Sequence, residues 1–129
     1  ILINNRPFIT AVSPGDLSEN ISYTGEVAVT FSEAILPATA DSNSFSVKKE
    51  NGQIVPGSIT YESGTRTLIF KPVSYFEPNV KYIAEVTSQI QDLTGLSIKA
   101  PKTWSFVTSA YTNLFDDPGA LFDYSTFAD

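Results

Sequence analysis

The stretch Lys81–Gly95, KYIAEVTSQIQDLTG, limits what this chain can fold into more than any other segment. Tyr82, Ala84 and Val86 alternate with Lys81, Ile83, Glu85 and Thr87. This period of two sends one row into a core and the other largely toward water. It reads as a half-buried antiparallel strand. Gln91-Asp92-Leu93-Thr94-Gly95 then reads as a turn, because an Asp side chain bonds the backbone that follows it and Gly accepts positive φ. The chain has no cysteine, so the layers this strand joins must be held by apolar packing without a disulfide.

The same period recurs along the chain. Arg6-Pro7 opens a strand with Phe8, Thr10 and Val12 on one face, ended by Ser13-Pro14-Gly15-Asp16. The polar stretch Leu17–Glu26 reads as a loop; its Asn20-Ile21-Ser22 sequon reads as a chance match. Val27, Val29 and Phe31 face inward from the next strand, and 34–41 is a crossover with at most one helical turn. Phe45 and Val47 restart the alternation. Asn51-Gly52 predicts a type I′ turn joining 44–49 to 54–61 as a hairpin. A second tight turn at 62–66 leads to Leu68 and Phe70, so the two hairpins form a meander. Trp104 and Phe106 share a face of the last strand. Seven short strands with frequent turn signals and no amphipathic helix predict an all-β, two-layer antiparallel β-sandwich. Its core comprises Val27, Val29, Phe31, Phe70, Tyr82, Ala84, Val86, Trp104 and Phe106.

At 129 residues one domain with its own core is expected. The formal charge of −6 argues against nucleic acid, which needs a basic face. The run Ile1-Leu2-Ile3 is too short for membrane insertion or a signal peptide. With no Met at position 1, the sequence reads as a piece of a longer protein. Residues 1–108 carry eight cations and ten acids, whereas 109–129 carry four Asp and no Lys or Arg. We therefore divide the chain into a sandwich, 1–108, and an acidic aromatic tail or linker, 109–129. The tail holds Tyr111, Leu114, Phe115, Leu121, Phe122, Tyr124 and Phe127. Solvating so many apolar side chains is costly, so the tail is expected to pack on the module or on a following domain.

Residue types argue against nucleophilic catalysis, since the chain has no His or Cys. A glycosidase pair would have to come from Glu33, Glu77, Glu85 and Asp92; the plainer reading makes these strand-end and turn residues in water. No cofactor is expected, calcium apart. Asp92, Asp116, Asp117 and Asp123, with Glu33, are oxygen donors of the type calcium takes, although no EF-hand spacing is present and solvated acids are the simpler reading. For sugar binding the candidate rings are Tyr75 with Phe76, and Tyr111 with Phe115, weighed against the usual role of such rings as core.

The ordered set Arg6-Pro7-Phe8-Ile9, Ser13-Pro14-Gly15-Asp16, Val27–Glu33, Pro37-Ala38-Thr39, Ser44–Val47, Thr67–Pro72, the Tyr82 strand, Asp92–Gly95 and Thr103–Thr108 resembles the bacterial Ig-like domain of S-layer and other large surface proteins. The resemblance covers about residues 6–108. Pro78-Asn79 before Tyr82 and Leu96 after Gly95 depart from the family pattern, both in turns. Tyr82 resembles the tyrosine corner of immunoglobulin-like sandwiches, whose phenol bonds back to upstream backbone, with Ala84 where antibody domains place a cysteine. The resemblance implies an immunoglobulin-like fold and an extracellular or cell-surface setting. It also implies a non-catalytic spacer or interaction module, with neighbouring domains of the same polypeptide, or a surface protein or glycan, as partners. A carbohydrate- or calcium-binding accessory module is the alternative.

Overall fold

A computed structural model describes residues 6–110. The described chain forms eight strands: β1 (Ile9–Ser13), β2 (Ser18–Ile21), β3 (Val27–Phe31), β4 (Phe45–Lys49), β5 (Gly57–Glu62), β6 (Thr67–Pro72), β7 (Lys81–Val86) and β8 (Lys102–Thr108). One sheet has the order β1-β3-β6-β5 and the other β2-β8-β7-β4. The pairings are antiparallel except β2 with β8. The fold is an immunoglobulin-like all-β sandwich. A single 3₁₀ turn, Pro37–Thr39, occupies the crossover before β4.

The inner rows of both sheets close the core. Val27, Val29 and Phe31 of β3, Leu68 and Phe70 of β6, Tyr82, Ala84 and Val86 of β7, and Trp104 and Phe106 of β8 are all buried. Ala84 lies opposite Val47 on one side and Trp104 on the other. The Trp104 ring nevertheless reaches Phe45, two strands away, at a centroid distance of 6.4 Å. Neighbouring strands lie about 4.8 Å apart, so the indole must lean over β7, and the small side chain of Ala84 leaves it room. Phe45 in turn meets Phe70 of the facing sheet edge-on at 6.2 Å. This aromatic chain bridges the layers without sulfur, each ring adding about 1.5–3 kcal/mol of burial. The Trp104 Nε1–H is buried with no acceptor, so the ring is held by its area despite a polar cost.

Four local expectations change. A bulge between Ile9 and Ala11 reverses the inward parity of β1, so Ile9 and Val12 pack on the core while Phe8 lies outside, with Lys99 Nζ 5.2 Å from its ring centroid. Residues 18–21, expected as loop, form β2, a four-residue edge strand running parallel to β8. At Asn51-Gly52 only Gly52 has positive φ. Gly52 N donates to the Lys49 carbonyl, and the Asn51 side chain accepts from Gln53 N; this places Gly at the left-handed position of a longer loop than type I′. The segment after this loop pairs with β4 only at Ile54 and Val55. It then crosses at Pro56 to the other sheet, so β4 and β5 belong to different layers and the expected meander is absent. Gly57 makes the crossing possible: a Cβ there would lie 2.5 Å from the Phe70 ring.

Candidate functional site

The chain enters and leaves the sandwich at opposite ends of β8. At the entry pole the Arg6 guanidinium donates to the Ser97 carbonyl (3.3 Å), and Lys99 N donates to the Pro7 carbonyl (2.8 Å), just before β8 begins. At the exit pole Ser109 N donates to the Ile21 carbonyl (2.8 Å), and Asn79 N to the Ser109 carbonyl (3.1 Å). Each pole has its own lock.

The exit pole is built on Tyr82. Its phenol oxygen accepts from Glu77 N at 2.7 Å, five residues upstream, which is the tyrosine-corner geometry. Phe76 packs at a tilt against the Tyr82 ring at 4.6 Å and meets Phe106 edge-on at 5.6 Å. The Thr108 hydroxyl accepts from Val80 N (2.9 Å) and donates to the Glu77 carbonyl (2.6 Å), fixing the last residue of β8 to the same turn. Burial pushes the Tyr82 phenol up from its ordinary value. Phe76, a candidate sugar platform, is therefore a core residue, 3 % exposed. Tyr75 is the exposed member of that pair, at 70 %.

The entry pole is built on Asp92, which is fully buried although a solvated turn acid was expected. Its Oδ1 accepts from Thr94 N (2.9 Å), Thr94 Oγ1 (2.7 Å) and Leu96 N (2.9 Å). Asp92 N donates to the Leu96 carbonyl and Gly95 N to the Asp92 carbonyl, so one carboxylate organises the whole loop with Gly95 at φ 92°. Glu33, from the end of β3, hydrogen-bonds to Asp92. Partial burial, followed by the Asp92 charge and that hydrogen bond, raises its pKa from the ordinary 4.5. The buried Asp92 and the neighbouring Glu33 together form a structural acid clasp at this pole.

Among the described residues no three His, Cys, Asp or Glu come together as metal ligands. The calcium candidates Asp116, Asp117 and Asp123, and the rings Tyr111 and Phe115, lie outside the described residues. Asp92 Oδ1 is already committed to three protein donors. No helix of the described residues is long and apolar enough to cross a membrane.

The third feature, which sequence periodicity did not reveal, is a cleft on the β4–β5 flank. Two adjoining cavities of about 410 and 220 Å³ share Ile54, Val55 and Pro56. The larger is floored by Phe45, Ile59 and Phe70. The smaller, toward the exit pole, is lined by Lys49, Tyr75, Glu77 and Tyr82, with Lys49 and Glu77 paired across it. Only the crossing of the chain between sheets at Pro56 creates this opening. The signal available in sequence was Ile54-Val55-Pro56-Gly57, where a Pro-Gly pair interrupts an apolar run.

A family model described as the bacterial Ig-like domain matches residues 3–108. No curated protein matches the chain. Among solved structures, CopC from Methylosinus trichosporium OB3b superposes with a TM-score of 0.66 at 17 % identity, over 84 % of this chain and 99 % of that one. PcoC, a methionine-rich copper resistance protein from Escherichia coli, gives 0.66 at 11 % identity, over 81 % and 100 %. The N-terminal part of the bacterial S-layer protein SbsC gives 0.61 at 16 % identity, over 81 % of this chain and 24 % of that one. At these identities the likeness is one of fold.

Proposed function

This chain belongs to the bacterial Ig-like domain family, and from that premise we propose that it is a non-catalytic spacer and interaction module of a secreted or cell-surface bacterial protein. The observation that carries the reading is the placement of entry and exit at opposite ends of β8. A seven-residue strand spans roughly 20 Å at about 3.4 Å per residue, so modules joined through these ends extend in line. The likeness to an S-layer protein segment supports the same reading. In this account 1–108 is the folded module and 109–129 the tail, and the module's partners are the neighbouring domains or a surface protein.

Copper handling, suggested by the name of the PcoC neighbour, does not fit the donors present: the chain has no Met, His or Cys, the side chains that favour copper. Calcium finds no assembled site among the described residues. A glycan-binding role has one observation in its favour, the exposed Tyr75 beside Gln53, Ser74 and Glu77. The spacer reading is tested by small-angle scattering on two copies of the full chain fused in tandem. An extended particle close to twice the single-module length is expected; side-by-side packing of the copies would overturn it. Retention of the single chain on a polysaccharide affinity gel, lost in Tyr75→Ala, would favour the glycan reading instead.

A further inference from the structure

We infer that the β4–β5 cleft is the docking site of the chain's own tail, with the apolar residues of 111–127 seated over Phe45, Ile59 and Phe70. Four observations converge on this occupant. First, the cleft is open and mostly apolar, with Ile54 (63 % exposed) and Tyr75 (70 %) lining its exit-pole end, and the exposed Val73 is tied through its N–H to the carbonyl of Pro56 in the cleft wall. Loss of this much apolar surface to water calls for a cover. Second, the tail leaves at that end. The Thr108 hydroxyl donates to the Glu77 carbonyl, and Glu77 lines the smaller cavity, so β8 ends close to the cleft.

Third, the tail has the right pattern. Tyr111–Phe115 and Leu121–Phe127 are two apolar stretches separated by Asp116-Asp117-Pro118-Gly119, a run of turn formers. Five extended residues cover roughly 17 Å, the length of the five-residue β4 that forms one wall. The first stretch is thus long enough to span the cleft, and the Pro-Gly pair permits a reversal that would let the second stretch cover it as well. Fourth, the charges are opposite. The tail has four Asp and no cation, while Lys48 of β4 and Lys71 of β6, on the strands that carry Phe45 and Phe70 of the cleft, have no ion-pair partner among the described residues.

The absence of cysteine makes the test clean. In the full chain, Ile54→Cys with Phe115→Cys should form an intramolecular disulfide at least ten times faster than Leu17→Cys with Phe115→Cys. Leu17 is as exposed as Ile54 (74 %) but sits on the β1–β2 flank, tied to Ser105 of β8. Equal rates for the two pairs would overturn the proposal, as would crosslinks formed only between copies at micromolar protein. A second measurement guards against a crosslink trapped from a rare encounter. Replacing Phe115, Leu121 and Phe122 together by Ser should lower the melting temperature of the full chain by several degrees, and an unchanged midpoint would overturn the docking.

Discussion

The two poles of the sandwich are secured by different chemistry, one by a phenol and the other by a pair of carboxyls. At the exit pole the Tyr82 hydroxyl and the Thr108 hydroxyl hold the turn before β7, and neither changes charge at ordinary pH. At the entry pole Asp92 holds its loop through three bonds to one oxygen and helps to raise the pKa of Glu33 beside it. The difference is that the entry-pole lock is made of carboxyls and the exit-pole lock of hydroxyls, although both poles do the same mechanical job of fixing where the chain meets the sandwich.

Removing the acid clasp should be the most damaging change. Asp92→Ala leaves the Thr94 and Leu96 donors without their acceptor in a fully buried loop, a loss of roughly 2–4 kcal/mol measurable by urea unfolding. Asp92→Asn keeps an acceptor oxygen and should lose clearly less. Equal losses for Ala and Asn would mean that the oxygen is not what holds the loop. At the other pole, Tyr82→Phe deletes only the bond to Glu77 N and keeps the ring, for a loss of about 1–1.5 kcal/mol. If this substitution cost more than Asp92→Ala, the ranking of the poles would be reversed.

The pH contrast is sharper and smaller. The folded state raises the pKa of Glu33 above 4.5, so it binds that proton more tightly than the unfolded chain does. This contribution is fully present below pH 4.5 and is lost as pH rises through the folded value. Glu33→Gln should therefore flatten the stability profile in that window, and an unchanged profile would remove the clasp from the account. Tyr82→Phe should leave the profile from pH 4 to 8 parallel to that of the parent chain. The smallest effect is expected for Lys49→Ala, which breaks a pair between the half-buried Lys49 and the exposed Glu77. Surface pairs contribute little, and a melting temperature close to the parent's is predicted.

How far these features could be read in advance follows from how local their causes are. The Tyr82-Ala84-Val86 alternation and the Asp92–Gly95 turn are written in consecutive residues, so the corner, the loop and the inward rows were legible. Burial of Asp92 was not, because it depends on Glu33 and the end of β3, some sixty residues away. β2 escaped because its pairing with β8 is parallel and non-local, leaving no alternation in Ser18–Ile21. The cleft escaped for a related reason: the same Ile54-Val55 run continues either a hairpin or a change of sheet, and the contact of Gly57 with Phe70 decides between them.

Both poles matter to function through their separation, and that separation can be measured in the single chain. Arg6→Cys and Ala110→Cys, both at exposed positions, carry spin labels for a pulsed dipolar distance measurement. The account predicts one narrow distribution centred beyond roughly 20 Å, the length of β8 at about 3.4 Å per residue. A principal distance below about 15 Å at that same strand rise would place entry and exit side by side and contradict the in-line module.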